Sequence, residues 1–450
     1  MITNKKTLLI ALFHAVIATC SAQEQIKPLL KTQWGQNFPY NLCCPITMDS
    51  VTMTKTHVVA GCVPVAIAQV VRAMEYPSMS PDRKTPYVWK NMFVNFYQSE
   101  TRERMLAVAK LISDCGVQSR THYEHKGSAS TGTIAIQNMK RLMHFSRCML
   151  LLKRQFYLGE EGKARWSQII TDELKAGRPV IYIGTTPDPK MKKDKTHCFV
   201  VDGCKNGKFH LNLGWNGIDD GYYGIDDMDG FTTYQQMVIN IADSNFVPKM
   251  KQINVDVPGT LCQKFSADEK ANTFASRISG KLNVDDWAFL RSLCTRNSKN
   301  KLPNEMAILD LRDVDAEIMP DTAFKNCNNL VYVQLPLNLK KIPQAGFYNC
   351  IQLNYIEIPN GVTTVGRGAF AGCLSLISVD LPETVTAIER KAYRYCDALI
   401  AVNLPKSLQR IDDEVFSDCK QLRWISMPKT TKQGNAITKN SNSFENITLW

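Results

Sequence analysis

The stretch GCVPVAIAQVVRAMEY, residues 61–76, predicts a helix that begins at a cysteine. Pro64 falls in the first turn of this helix, where the missing N–H of proline does no harm. Apolar residues follow at helical spacing: Ala66, Ile67, Val70, Val71 and Met74. A cysteine at a helix N-terminus feels the positive end of the helix dipole, which favours the thiolate. An isolated Gly-Cys is more often a buried structural cysteine, so Cys62 indicates chemistry only together with partners.

A histidine and an asparagine further along the chain supply those partners. His197 in THCFVVDG lies 135 residues after Cys62, and Asn212 in HLNLGWNG follows after another 15. A cysteine nucleophile needs an imidazole to take its proton, and the imidazole needs a third group that fixes its tautomer. The order Cys, His, Asn at these separations is typical of papain-like peptidases.

Strand-like runs on both sides of a Gly-containing turn predict an antiparallel hairpin that carries both His197 and Asn212. A tight two-residue turn at Asn206–Gly207 would pair His197 with Asn216. A longer turn would set His197 nearly opposite Asn212. We expect the longer turn, because it brings the two predicted site residues together.

Four segments resemble the streptopain family of papain-fold cysteine peptidases. They are QWGQNFPYN (33–41), GCVPVAIAQVVRAMEYP (61–77), a segment ending in GRPVIYIG (166–184) and a segment running from THCFVVDG to HLNLGWNGIDDGYY (196–223). The resemblance covers roughly residues 25–245. It implies an α+β papain-like cysteine peptidase domain that hydrolyses peptide bonds in protein or peptide substrates and needs no cofactor.

The resemblance also assigns roles to four residues. It makes Cys62 the nucleophile, His197 the general acid and base, and Asn212 the group that orients the imidazole. Gln36 would donate to the oxyanion beside the Cys62 backbone N–H, a task that suits a side-chain amide.

Three features depart from the family. Leu213 stands where the family usually has Trp, and Thr196 stands where it often has Gly. We expect Thr196 and Trp215 to line the substrate cleft, with Trp215 partly replacing the missing indole. The stretch from Gln23 to Leu30 leaves no room for a long inhibitory pro-segment. The alternative to a secreted endopeptidase is therefore a surface adhesin, or protein-binding module, whose peptidase fold has lost its activity.

The second half of the chain repeats with a period of 23 residues. Each unit carries a leucine, a proline, a cysteine and an aromatic residue at fixed positions. The cysteines are Cys327, Cys350, Cys373, Cys396 and Cys419, and the aromatic residues are Phe324, Phe347, Phe370, Tyr393 and Phe416. The period and the short alternating strand in each unit predict a leucine-rich repeat solenoid. We expect one small cysteine per turn to fill a core slot rather than to bind metal.

This repeat resembles the BspA-like leucine-rich repeat family, over roughly residues 255–430. The resemblance implies a bacterial surface or secreted protein whose repeats bind a partner protein. We expect a signal peptide at 1–22, the peptidase domain at 23–245, a connector and repeat cap at 246–304, repeats at 305–430 and a C-terminal tail at 431–450. The connector should contain a helix at Val284–Cys294.

The composition is that of an ordinary soluble protein, with 44% hydrophobic and 21% charged residues among 450. The net charge of +12 comes without a nucleic-acid-binding motif, so no nucleic-acid partner is expected. Lys5 and Lys6, an apolar run to Thr19 and the small residues 20–22 predict a secretory signal. No later stretch is long and apolar enough to span a membrane. We expect a secreted, cell-surface or periplasmic protein.

No metal site is predicted. His122 and His125 have metal-like spacing, but no cysteine or carboxylate set completes a zinc site. The acidic segment 219–229 lacks the full pattern of a calcium-binding EF-hand loop.

Overall fold

The computed structural model describes residues 25–450 apart from 83, 126, 131–134, 137, 141–142, 147, 188–194 and 296–305. The predicted signal peptide, 1–22, lies outside the described residues. The chain forms two compact units, and the boundary between them falls between Val247 and Pro248.

The N-terminal unit combines helices with an antiparallel sheet. Its helices α1, α2 and α3 span Cys62–Met74, Arg102–Gln118 and Gly159–Lys175. Its strands β1 to β9 span Gln25–Ile26, Ile46–Met48, Lys55–His57, Leu150–Lys153, Val180–Thr186, Lys195–Lys205, Lys208–Asn212, Gly221–Tyr223 and Thr233–Ile239. Seven of these strands form one sheet in the order β4-β9-β5-β6-β7-β8, with β1 paired to β6.

Helix α1 begins at Cys62, as the sequence predicts. Gly61 precedes it with φ 92°, a left-handed backbone that glycine adopts without strain. A Cβ at this position would also press on Ser128, at 3.1 Å from its carbonyl oxygen. The helix is buried along most of its length and packs in one apolar cluster with Cys198 and Val200 of β6. The nucleophile candidate therefore lies at the junction between a core helix and the sheet.

The other face of the sheet is covered by α3. Trp166 of α3 donates its indole N–H to the hydroxyl of Tyr182 on β5 at 3.0 Å, and Tyr182 in turn contacts Phe199 on β6. Because successive strand residues point to opposite faces, β6 contributes Phe199 to this layer and Cys198 to the α1 layer. His197 begins the buried part of the same strand.

The turn between β6 and β7 is tight, so our expectation of a longer turn was wrong. Lys205 pairs with Lys208 across Asn206–Gly207. Asn206 has φ 53° and Gly207 has φ 75°. Positive φ at both central residues is what a two-residue type I′ turn requires, and Asn-Gly is the sequence that supplies it most readily.

A bulge in β6 just before this turn shifts the pairing by one residue. The tight turn alone would set Asn212 opposite Val201, and the bulge moves it to lie opposite Val200, so Asn212 does not pair with His197. Continued past the end of β7, the shifted register brings Trp215 to His197, and the two rings are stacked at 4.6 Å between centroids. Bulges re-aim side chains in this way next to functional sites.

The C-terminal unit is a solenoid of short parallel strands. Its helices α4 and α5 span Ala267–Asn272 and Val284–Cys294. Strands β10 to β16 span Lys251–Val255, Ala275–Gly280, Ile308–Val314, Tyr332–Gln334, Lys341–Ile342, Tyr355–Glu357 and Thr364–Val365. Strands β17 to β22 span Ala387–Ile388, Ala401–Asn403, Arg410–Ile411, Trp424–Met427, Lys432–Gln433 and Asn446–Leu449. The predicted helix at Val284–Cys294 is present with those bounds.

The strands stack in two rows, one on each side of the solenoid core. The first row contains β10-β11-β12-β13-β15 and β18-β20-β22, and the second contains β14-β16-β17-β19-β21. Residues 431–450, predicted as a tail, carry β21 and β22 and extend both rows. The described elements agree with the predicted fold class: an α+β domain is followed by a solenoid of 23-residue turns.

Both predicted ladders run through the solenoid core. The aromatic rings stack nearly parallel, with centroids 5.3 Å apart from Phe324 to Phe347 and 5.4 Å apart from Phe347 to Phe370. Four of the five cysteines donate their thiol to the carbonyl of the aromatic residue one turn before, as Cys373 does to Phe347 at 3.2 Å and Cys350 to Phe324 at 3.0 Å. The first, Cys327, instead lies 3.6 Å from the Arg291 carbonyl. In the other four turns the thiol thus fills a small slot and gives a second donor to a carbonyl that already accepts a backbone N–H, which an alanine could not do.

Replacing Phe370 by alanine should destabilise the solenoid strongly, because it removes a fully buried ring from the middle of the stack. We expect the free energy of unfolding to fall by about 3–5 kcal/mol, measured by urea titration of the full chain followed by circular dichroism. Ile318→Ala, at an 81% exposed side chain, is the control and should change it by less than about 0.5 kcal/mol. Equal effects of the two substitutions would contradict the role of the ring stack.

Candidate active site

Cys62 is partly exposed at the first position of α1. Its sulfur is nevertheless largely surrounded by protein, and this burial raises the pKa of the thiol. The backbone N–H groups of Cys198, Val63 and Cys62 itself have the opposite and smaller effect. The thiolate predicted from the helix dipole alone is therefore disfavoured by desolvation, which is the larger effect. The contact with Cys198 brings the sulfur to the residue that follows His197.

His197 is 7% exposed and its ring is held on three sides. Its Nε2 lies 2.8 Å from the carbonyl oxygen of Leu213. Trp215 stacks on one face of the ring, and Phe231 lies 5.3 Å from it between centroids. Burial lowers the pKa of His197 to about 4, although the bond to Leu213 raises it.

The bond to Leu213 fixes the tautomer of the imidazole. A carbonyl can only accept, so the neutral ring must carry its proton on Nε2. Nδ1 is then the nitrogen with a lone pair, and it is the atom able to take a proton from a thiol. Ring orientation and proton position are thus set by a main-chain carbonyl.

This arrangement corrects the partner predicted for the imidazole. The Asn212 side chain bonds elsewhere: its Nδ2 donates to the Thr32 carbonyl at 2.6 Å, and its Oδ1 accepts from Gln69 Nε2 at 2.8 Å and from Gly214 N at 3.3 Å. The tight Asn206–Gly207 turn explains the difference, because it sets Asn212 near Val200 and not opposite His197. Asn212 braces the turn that presents Leu213, so it acts on His197 through the backbone.

Gln69 links this brace to the helix of Cys62. It lies on α1, two turns after Cys62, and is fully buried. Its Oε1 accepts from the Trp34 N–H at 3.1 Å while its Nε2 donates to Asn212. We call Gln69, Asn212 and their backbone partners at Thr32 and Trp34 the amide network. It joins three segments that are distant in sequence.

Asp220 holds the same turn from its other side. Its Oδ1 accepts the Leu213 N–H at 2.8 Å. Burial raises the pKa of Asp220, and the bond from Leu213 opposes that shift. Leu213 is consequently fixed at both its N–H and its carbonyl, with the carbonyl bound to His197.

Gln36 lies beside the segment that leads into α1. Its carbonyl accepts the Ala60 N–H at 2.9 Å, which holds it two residues from the start of the helix that begins at Cys62. Its side chain is half-buried. The structure thus brings Gln36 and the backbone N–H of Cys62 into one neighbourhood, where both are N–H donors.

The two residues predicted to line the cleft differ in position. Trp215 is half-buried and covers the His197 ring, so it occupies the place next to the imidazole that we expected an indole to fill. Thr196 is exposed, and its hydroxyl lies 2.9 Å from that of Thr185 across the strand pair β5–β6. Thr196 therefore belongs to the sheet surface adjoining His197.

Sequence reasoning missed three residues of this site. Gln69 carried a usable signal, since a polar residue within the apolar stripe of a buried helix needs a partner. Asp220 was noted only as part of an acidic segment. Phe231 gave no signal, because its contact with His197 depends on how β9 enters the sheet.

The weak metal motif has other partners. His122 Nε2 lies 3.2 Å from Glu124, and His125 Nε2 lies 2.7 Å from the Thr47 hydroxyl. Within the described part of the chain, no group of three or more potential metal ligands was found. Across those same residues, no helix combines the length and the apolar character needed to cross a bilayer.

The fold and the arrangement of this site define a class of protein. A cysteine at the start of a core helix contacts a strand whose histidine has a fixed tautomer, and the backbone of Gln36 bonds to the segment that leads into that helix. Such a set can carry out acyl transfer through a thioester. It is the arrangement of papain-like cysteine peptidases.

Comparison with known proteins gives the family. Residues 34–223 match the peptidase C10 family, and residues 317–448 match the BspA type leucine rich repeat region in six copies. Streptopain of Streptococcus pyogenes serotype M1 is 26% identical over 263 residues, covering 49% of this chain and 63% of that protein. The chain thus spans less than two thirds of the length of the curated streptopain that it matches.

Solved structures give similar matches to each half. Interpain A, a cysteine protease of Prevotella intermedia, is 31% identical over 49% of this chain and 96% of that chain, with a TM-score of 0.44. A leucine rich repeat protein of T. pallidum is 24% identical over 33% of this chain and 64% of that chain, with a TM-score of 0.26. Through residues 34–223 the chain belongs to the peptidase C10 family, and it carries a BspA-type leucine-rich repeat region.

Replacing Gln69 by leucine removes both amide contacts while keeping a similar volume. Trp34 and Asn212 would each lose a buried partner, which costs about 1–3 kcal/mol, and the turn that carries Leu213 would be less firmly held. We expect kcat/KM for hydrolysis of casein to fall about 10- to 100-fold. Gln168→Leu, on the exposed face of α3, is the matched control and should leave kcat/KM unchanged. A fully active Gln69→Leu chain would contradict the role of the network.

Proposed function

We propose that the chain is a secreted cysteine endopeptidase that hydrolyses peptide bonds in proteins, with Cys62 as nucleophile and His197 as general acid and base. The observation that carries the proposal is the Nε2 contact of His197 with Leu213. That contact leaves Nδ1 as the proton acceptor in a strand that also touches the Cys62 sulfur.

The first half of the reaction forms a thioester. Nδ1 of His197 takes the thiol proton as the Cys62 sulfur attacks the scissile carbonyl carbon. The carbonyl oxygen becomes an oxyanion, which the Cys62 backbone N–H and the Gln36 side chain stabilise. His197 then gives the proton to the departing amine, the C–N bond breaks, and the acyl group remains on Cys62.

The second half releases the product. His197 takes a proton from a water molecule as the water attacks the thioester. The resulting oxyanion uses the same donors, and its collapse returns the proton to the Cys62 sulfur. A carboxylic acid leaves and the free enzyme is restored. Both halves need the same fixed imidazole, because one nitrogen must accept and donate at each step.

The solenoid has a separate role in the proposal. We assign it the binding of a partner protein, which would bring the peptidase to its target at a cell surface or outside the cell. The match to BspA-type repeats supports this role. The leader-like residues 1–22 support export.

Labelling with a papain-type epoxide inhibitor tests the catalytic assignment. We expect stoichiometric modification of Cys62 in the reduced, folded chain, located by intact mass and peptide mapping, because His197 activates that thiol. His197→Ala should reduce the labelling rate by at least about 100-fold. Cys262, an exposed free thiol, is an internal control: iodoacetamide should label it in both proteins, and the epoxide should label it in neither.

The opposite outcome has a definite meaning. If the epoxide spares Cys62 while iodoacetamide still reacts with Cys262, the imidazole does not activate the thiol. The chain would then be a protein-binding module on an inactive peptidase fold.

A further inference from the structure

A pocket of about 590 Å³ with charged side chains among its wall residues lies in the N-terminal unit between the start of α3 and strand β9. Its walls include Lys153 and Arg154 at the end of β4, and Gln236 and Tyr234 on β9. Its volume falls within the range of about 300–1,000 Å³ that is usual for ligand sites.

The charge of this pocket is positive. Lys153 and Arg154 bring two cations to one wall, and burial lowers the pKa of both side chains. The guanidinium of Arg154 lies 6.0 Å from the ring centroid of Trp166. The acidic wall residue, Asp226, is already ion-paired with Lys163 of α3. A carboxylate that entered the pocket would therefore meet a net excess of positive charge.

A band of three threonines connects the pocket with His197. Thr233 lines the pocket and donates its hydroxyl to the Thr185 carbonyl at 2.8 Å. Thr185 pairs in turn with Thr196, the neighbour of His197. The pocket is thus two strand spacings from the histidine strand, or about 10 Å. Three residues of an extended peptide cover the same distance.

The wall of the pocket on β9 is irregular. The pairing of β5 with β9 shifts register opposite Tyr234, which has φ 48° and is 75% exposed. A positive φ is unusual for a bulky residue. The irregularity turns the phenol outward at the rim of the pocket, where it can cover the apolar part of a bound side chain.

We propose that this pocket, the Lys153–Arg154 pocket, binds an acidic side chain of the polypeptide substrate, three or four residues from the bond that is cut. The inference rests on the peptidase function proposed above and adds a substrate preference to it. Charge-assisted bonds from lysine and arginine to a carboxylate are among the stronger polar contacts of proteins. Glutamine at the same substrate position would lack that attraction, and lysine would be repelled.

A binding experiment tests the pocket without requiring turnover. The full chain with Cys62→Ala is titrated into fluorescein-labelled peptides that contain three glutamates, three glutamines or three lysines, and anisotropy is followed at low ionic strength. We expect the glutamate peptide to bind at least about 10-fold more tightly than the glutamine peptide. Lys153→Gln and Arg154→Gln should each remove most of that difference.

The matched control is Lys205→Gln, an exposed lysine beside the β6–β7 turn. It should leave the preference for glutamate intact. Equal affinity for the glutamate and glutamine peptides in the unsubstituted pocket overturns the inference, as does an equal loss with Lys205→Gln. The comparison of peptides on the unsubstituted pocket stands even if Arg154→Gln does not fold.

A cleavage assay separates this inference from the proposed function. The chain with Cys62 intact is given longer substrates that contain the same peptide sequences. Cutting without any acidic preference overturns the pocket and leaves the peptidase. Glutamate-selective binding without cutting supports the pocket and overturns the peptidase. Cutting with a kcat/KM at least about 10-fold higher for the glutamate substrate supports both.

Discussion

The site depends on one buried polar arrangement, the amide network of Gln69 and Asn212. Its members lie on three different segments: the core helix that starts at Cys62, the segment of Thr32 and Trp34, and the end of β7. Leaving an amide unpaired in a protein interior is costly. The hydrogen bonds among these buried amides therefore hold the three segments together. The network presents the Leu213 carbonyl to His197 and sets the imidazole relative to the helix of Cys62.

Burial acts on the two reactive groups in opposite directions. It raises the pKa of the Cys62 thiol and lowers that of His197, so each isolated charge is disfavoured. A proton can move between them at small cost only if the two charges form together and neutralise each other. The Leu213 carbonyl prepares this step, because it holds the ring proton on Nε2 and leaves Nδ1 as the acceptor.

The strong periodic signals of the sequence were sufficient for the architecture, and the site was predicted only in part. The start of α1 at Cys62, the 23-residue solenoid and the family followed from spacing and resemblance. The partner of His197 did not, because the tight turn at Asn206–Gly207, which we expected to be longer, sets Asn212 opposite Val200 after the one-residue bulge. The Asn-Gly pair was a usable signal for that turn, whereas no local pattern announces the bulge. Gln69 acts through a contact with Asn212, 143 residues away, which exists only once distant segments meet. Asp220 bonds Leu213 only seven residues away, but nothing in the sequence singled it out among its acidic neighbours.

The central claim is that a backbone carbonyl, braced by the amide network, orients His197. The direct measurement is the ¹⁵N NMR spectrum of the histidine imidazoles in the full chain with Cys62→Ala, where no thiolate can pair with the ring. The His197 signals are assigned by comparison with a His197→Gln variant. The account predicts a neutral ring with its proton on Nε2 at pH 7. It also predicts a titration midpoint near 4, because burial opposes the charged form. A proton on Nδ1, or a midpoint at the ordinary value of about 6.5 or above, would contradict it.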